Sequence, residues 1–230
     1  MEVIRDNWKL AIWIERLLWA MFTVYSFIAL ELLVLMMLNL LKEFEFASRL
    51  FELLGPLKNY INTLYFILYI VWNCLFFIWL YRAYSNIHAV KKEGLYTKSL
   101  IVWAWFIPFV NLILPFRVLK SLYSSGLEMT GEAGELQLKK MNRTINDMQI
   151  LWIFSWVFSG IIFIITFSGY LNQFLEIIGI TSLVVQIASV IYILCKIRFV
   201  REYSKLDALL VNSITNESDF TRNDNLIDSI

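Results

Sequence analysis

The chain has 230 residues, of which 59% are hydrophobic and 17% aromatic, well above the roughly 45–50% apolar share of soluble domains, and its mean hydropathy is +0.64. A net charge of +1 excludes nucleic-acid binding through bulk electrostatics, which needs a concentrated basic face. With a single His and two Cys set far apart in apolar runs, no metal-ligand spacing is present; at about 20 apolar residues per span, there is room for several spans and no sizeable soluble domain.

Residues 7–16 (NWKLAIWIER) mix Trp8, Ile12 and Trp13 with Lys9, Glu15 and Arg16, the composition of a helix at the headgroup level. No short basic tip or small-residue cleavage pattern suggests a cleaved signal peptide. Span one is expected at about 17–41, long enough to cross with some tilt. Residues 42–58 set Phe44, Leu50, Phe51, Leu53 and Leu54 against Glu43, Glu45, Arg49 and Glu52, the pattern of an amphipathic surface helix. Gly55-Pro56 is expected to end it. Span two follows at about 60–81, with Tyr and Trp at both ends as interfacial anchors.

A basic, polar stretch, 82–98, leads into residues 99–123, which hold two of the three prolines, Pro108 and Pro115. Prolines remove backbone donors and disfavour the helical conformation of the residues before them, Ile107 and Leu114. This segment reads as a broken interfacial or re-entrant connector, anchored by Trp103 and Trp105, in which either Asn111 repairs the interrupted backbone or the break serves as a gate or ligand-binding site. A Gly-containing loop and a polar helix occupy 121–147. Spans three and four are expected at about 150–170 and 175–195, joined by the turn LNQFLE. Cys74 and Cys195 fall inside spans and read as buried structural thiols. The expected fold class is thus an all-α membrane protein of four transmembrane helices with amphipathic surface helices. Residues 1–204 form one integral membrane domain, and 205–230 read as a polar, disordered cytoplasmic tail.

Orientation follows the Lys and Arg placement. Arg82, Lys91, Lys92, Lys98, Arg117, Lys120, Lys139, Lys140 and Arg143 lie between spans two and three, and Lys196, Arg198, Arg201 and Lys205 follow span four. The turn between spans three and four has none. Both termini are therefore expected in the cytoplasm, with the connector entering and leaving on the cytoplasmic side. A connector that crossed fully would make five spans and move the N-terminus outside.

Glu31 sits near the middle of span one, where a carboxylate costs roughly 2.5–3.5 kcal/mol on insertion scales. It reads either as a proton or cation site, or pore-lining ring, or as a neutral Glu bonded to a neighbour. Asn73 and Gln186 fall at similar depth, so a midplane polar layer of Glu31, Asn73 and Gln186 is expected. Small and hydroxyl residues form seams: Asn62, Tyr65, Tyr69 and Asn73 on span two; Ser155, Ser159 and Thr166 on span three; Gly179, Ser182, Gln186 and Ser189 on span four. Such seams let helices approach and hydrogen-bond.

The runs Trp79 to Asn86 (WLYRAYSN) and Trp105 to Arg117 (WFIPFVNLILPFR) resemble the bacterial domain-of-unknown-function family 4328, with its W-x-x-P-x-x-N-x-x-x-P core. The motif residues here are Trp105, Pro108, Asn111 and Pro115, followed by Arg117. The likeness covers about residues 60–200, and Tyr123 stands where the family often has Trp. The resemblance implies a multi-span protein of the bacterial inner membrane, and no activity.

No Gly-rich phosphate loop, HExxH or GxSxG is present, so no catalytic residue, metal or cofactor is expected. Two functions fit. One is a non-enzymatic, homo-oligomeric pore, channel-like or membrane-sensing component with Glu31, Asn73 and Gln186 near its axis. The other is an anchor recruiting a soluble cytoplasmic partner, for instance in a bacterial stress or phage-defence system. The basic loops are also expected to meet anionic headgroups of the lipid bilayer.

Overall fold

The computed structural model describes residues 6–40, 44–91, 96–131, 134–167 and 175–227. The described residues are helical with no strand: α1 Trp8–Leu40, α2 Phe44–Val90, α3 Lys98–Trp103, a 3-10 turn Val110–Leu112, α4 Leu114–Thr130, α5 Glu135–Phe167 and α6 Leu175–Ile227. Four of these helices contain stretches long and apolar enough to cross a membrane: Trp8–Leu38, Gly55–Val90, Glu135–Phe167 and Ile177–Asn212. At 1.5 Å rise per residue, the 33 residues of α1 extend well past the roughly 30 Å of a hydrocarbon core. The headgroup-level helix expected at 7–16 is thus the first part of α1.

Several expected boundaries are absent. Gly55-Pro56 does not stop a helix, because Pro56 lies inside the continuous α2; a proline forfeits one backbone donor, and the 47-residue helix supplies turns on both sides of it. The side chains of Phe44, Leu50, Phe51 and Leu54 are outside the described residues, as is most of the turn expected at 171–176. The polar helix before span three is continuous with it as α5. α6 runs through position 205 to Ile227, and Leu206, Asp207 and Leu210 are buried. The expected tail boundary at 205 therefore falls inside a packed helix.

The chain divides into two compact units, to both of which α1, α2, α5 and α6 contribute. The first comprises 1–15, 74–146 and 198–230. Its core holds Trp79, Leu80, Ala83, Tyr84, Phe116, Leu122 and Tyr203, all fully buried. Trp79 meets Tyr203 edge to face, centroids 5.5 Å apart, a favoured geometry for aromatic quadrupoles. Gly126 of α4 faces α6: a Cβ there would be 3.6 Å from Tyr203, an ordinary contact distance. Asp207 is 3% exposed, accepting from Asn7 Nδ2 at 3.0 Å and from Asn86 Nδ2 at 3.1 Å, both amides also being buried. Arg201 of α6 pairs with Glu15 of α1, Nε to Oε1 3.1 Å, and Lys91 with Glu128 at 2.6 Å.

The second unit comprises 16–73 and 147–197. Leu18, Met21, Trp72, Met148 and Ile193 are buried, while Phe27, Leu30, Phe66, Ile161, Phe163 and Ile187 are exposed. Large apolar side chains exposed in this number are unfavourable against water and suit acyl chains.

Candidate functional site

The connector is broken, as the prolines predict, but the repair is made by the backbone. Trp105 N–H donates to Val102 O at 3.2 Å, Ile107 N–H to Trp103 O at 3.2 Å, Val110 N–H to Pro108 O at 2.7 Å and Asn111 N–H to Ile107 O at 3.0 Å. Pro115 lies in the first turn of α4, where its missing donor would be unpaired anyway. The short Pro108-to-Val110 bond closes a three-residue turn centred on Phe109, whose φ of 62° and ψ of −41° place a bulky residue in a rare, strained γ-turn. Asn111 is buried, whereas Pro108 and Arg117 are exposed.

Of the two expected tryptophan anchors, only Trp103 is exposed. Trp105 turns inward: its ring lies 5.6 Å from Phe76, 6.2 Å from Phe77 and 6.2 Å from Phe116. Those rings offer it apolar contact on α2 and α4.

In the second unit, the seams of small and aromatic polar residues converge, though not on the expected layer. Tyr65 and Tyr69 of α2, Ser155 and Ser159 of α5, and Ser189 of α6 all line one cavity of about 530 Å³. Tyr25, Trp152, Trp156, Tyr192 and Lys196 complete its polar and aromatic wall. Tyr25 meets Tyr65 edge to face at 4.6 Å, and Trp152 stacks on Tyr192 at 5.7 Å. Phe66 and Trp156 on its rim are more than half exposed, so the cavity reaches the apolar surface. Ser155 Oγ donates to Leu151 O and Ser189 Oγ to Val185 O, both at 2.9 Å, so their protons are engaged within the helix.

Lys196 is the charged group of this wall. It is 8% exposed, and its Nζ lies 3.8 Å from the centroid of Trp72 and 4.2 Å from that of Tyr192. Both are cation–π distances. Its place in the Lys and Arg run after span four made it read as a cytoplasmic flank, whereas α6 continues through it. The signal for its burial was the Tyr192–Lys196 spacing of one helical turn, with Trp72 near the end of span two.

Glu31, Asn73 and Gln186 are not among the cavity's lining residues. Glu31 is half-buried and engages a neighbour. Asn73 Nδ2 donates back to Tyr69 O of its own helix at 2.7 Å. Gln186 Oε1 is buried and accepts no hydrogen bond among the described residues. Of the expected packing seam, Ser189 faces the cavity and Ser182 is half-buried. A Cβ at Gly179 would meet no atom within 4 Å, so no close helix approach uses it among the described residues. Cys74 is exposed and Cys195 half-buried: an apolar run buries a thiol against lipid as readily as against protein.

A family described as Domain of unknown function (DUF4328) matches residues 53–205, two thirds of the chain. The chain belongs to that family. The DUF4328 segment contains the connector, most of the cavity wall and the run Trp79 to Asn86. No curated protein and no solved structure matches the chain. In this DUF4328 member, Trp79, Leu80, Ala83, Tyr84 and Asn86 are all buried in the first unit, while Tyr81 of the same run is exposed.

Proposed function

We propose that the chain is a non-enzymatic, membrane-sensing protein of the bacterial inner membrane, multi-pass with both termini cytoplasmic, whose sensing element is the cavity of the second unit. The observation that supports this is the cavity itself. Its volume of about 530 Å³ falls within the roughly 300–1,000 Å³ of small-molecule sites, which are apolar and aromatic with a few polar groups. Its rim residues Phe66 and Trp156 are exposed on a surface suited to acyl chains, so a bilayer amphiphile would reach it laterally without crossing water. A pore has less support: Glu31, Asn73 and Gln186 stand apart from this cavity.

The test is lipid retention. The detergent-purified full chain, exchanged against bacterial lipid extract and passed through gel filtration, is expected to carry bound lipid in native mass spectra. Ser155→Trp and Ser159→Trp, which fill the cavity, are expected to shed it while remaining helical. Equal retention by the filled variants would refute the cavity as the binding element.

A further inference from the structure

We propose that the cavity selects an acyl amphiphile with an anionic head, a carboxylate or phosphate, held by Lys196, Trp152 and Tyr192. This rests on the cavity being a binding site, and adds the chemistry of its occupant. Among the described residues, the lining includes one cation and no carboxylate. Among the described residues Lys196 pairs with no Asp or Glu; its contacts are the Trp72 and Tyr192 rings. A buried ammonium without a counter-charge is unfavourable, and ring faces replace only part of its lost hydration.

Two further donors stand on the same wall. Trp152 Nε1 and the Tyr192 hydroxyl are both buried with no hydrogen-bond partner among the described residues. The two rings stack on one another, and Lys196 Nζ lies over Tyr192, so the three donors belong to one cluster. Only an acceptor satisfies an ammonium, an indole N–H and a phenol together, and an anionic oxygen does so with the stronger, charge-assisted bonds. A cationic ligand would meet repulsion from Lys196 with no carboxylate among the described lining residues to offset it. The exposed Phe66 and Trp156 rim leaves an apolar path for the tail.

Probes with one chain and different heads test this on the full-length protein in detergent, read by native mass spectrometry. Oleate and dioleoyl phosphatidate are expected to bind at least tenfold more tightly than oleyl alcohol. Lys196→Gln should erase that preference and Lys196→Arg keep it. Tyr192→Phe, which deletes only the hydroxyl, and Trp152→Phe, which deletes the indole N–H together with its five-membered ring, should each reduce it several-fold; Tyr192→Phe also decides the matter should Lys196→Gln fail to fold by circular dichroism. Equal binding of oleate and oleyl alcohol by the wild type would overturn the anionic head while leaving the cavity a binding site. Failure of every acyl probe to bind would overturn the binding site itself. Displacement of oleate by millimolar inorganic phosphate would assign the cluster to a free anion and overturn the amphiphile.

Discussion

Phe109 combines two features that rarely coincide: its side chain is 84% exposed, and its backbone holds a φ of 62°. Strain of this kind costs of order 1–3 kcal/mol, and little packing within the chain is lost by removing the ring. Glycine occupies such a φ freely, at a penalty of roughly 0.5–1 kcal/mol in unfolded-state entropy. Phe109→Gly is therefore expected to raise thermal stability in detergent by about 1 kcal/mol, and Phe109→Val to lower it by a similar amount. A lower melting midpoint for the glycine variant would show that the ring, not the turn, matters there. The position of the break was readable in advance, because Pro108 and Pro115 forfeit donors wherever they occur. The turn at Phe109 was not, since nothing marks an aromatic residue for positive φ.

At the scale of elements, α4 and α6 meet at a glycine that has room to spare. A Cβ on Gly126 would lie 3.6 Å from Tyr203 and 3.8 Å from Leu206, ordinary van der Waals separations. Alanine is also favoured over glycine in a helix interior by roughly 0.8–1 kcal/mol. Gly126→Ala is accordingly expected to stabilise the first unit by up to about 1 kcal/mol, whereas Gly126→Leu should cost about 1–3 kcal/mol by overpacking. Thermal unfolding of the two variants checks this; destabilisation by alanine would mean that the helices sit closer than 3.6 Å allows. The helices themselves were legible from their apolar runs. Their ends were less so: Gly55-Pro56 has the residues of a stop yet lies within α2, because local signals compete with the continuity of a long helix.

For the whole molecule, the lesson lies in charges that follow an apolar run within one long helix. Lys196 and Asp207 both sit in stretches whose composition reads as solvated, and both are buried, because α6 carries them against partners from distant parts of the sequence. Such partners leave no local trace. The seams on spans two, three and four were visible by their spacing, but that Tyr65, Tyr69, Ser155, Ser159 and Ser189 line one cavity depends on how α1, α2, α5 and α6 are arranged, which periodicity does not encode. A chain truncated after Ser204 loses Leu206 and Leu210, each worth about 1.5–3 kcal/mol of burial. It also leaves the Asn7 and Asn86 amides without their acceptor, at about 1–3 kcal/mol each. That total is comparable to the 5–15 kcal/mol stability of a typical domain. The truncated chain is expected to lose protease protection across 74–146; unchanged protection would show that residues beyond Ser204 are dispensable, as for a disordered tail.

The Asn7–Asp207–Asn86 network also sets an order of events during synthesis. Asp207 lies 200 residues after Asn7 and 121 after Asn86, so both amides leave the ribosome long before their shared acceptor exists. Until Asp207 is made, Asn7 and Asn86 lack the carboxylate that accepts from both. The buried network that joins these three residues thus closes only after α6 has been synthesised as far as Asp207.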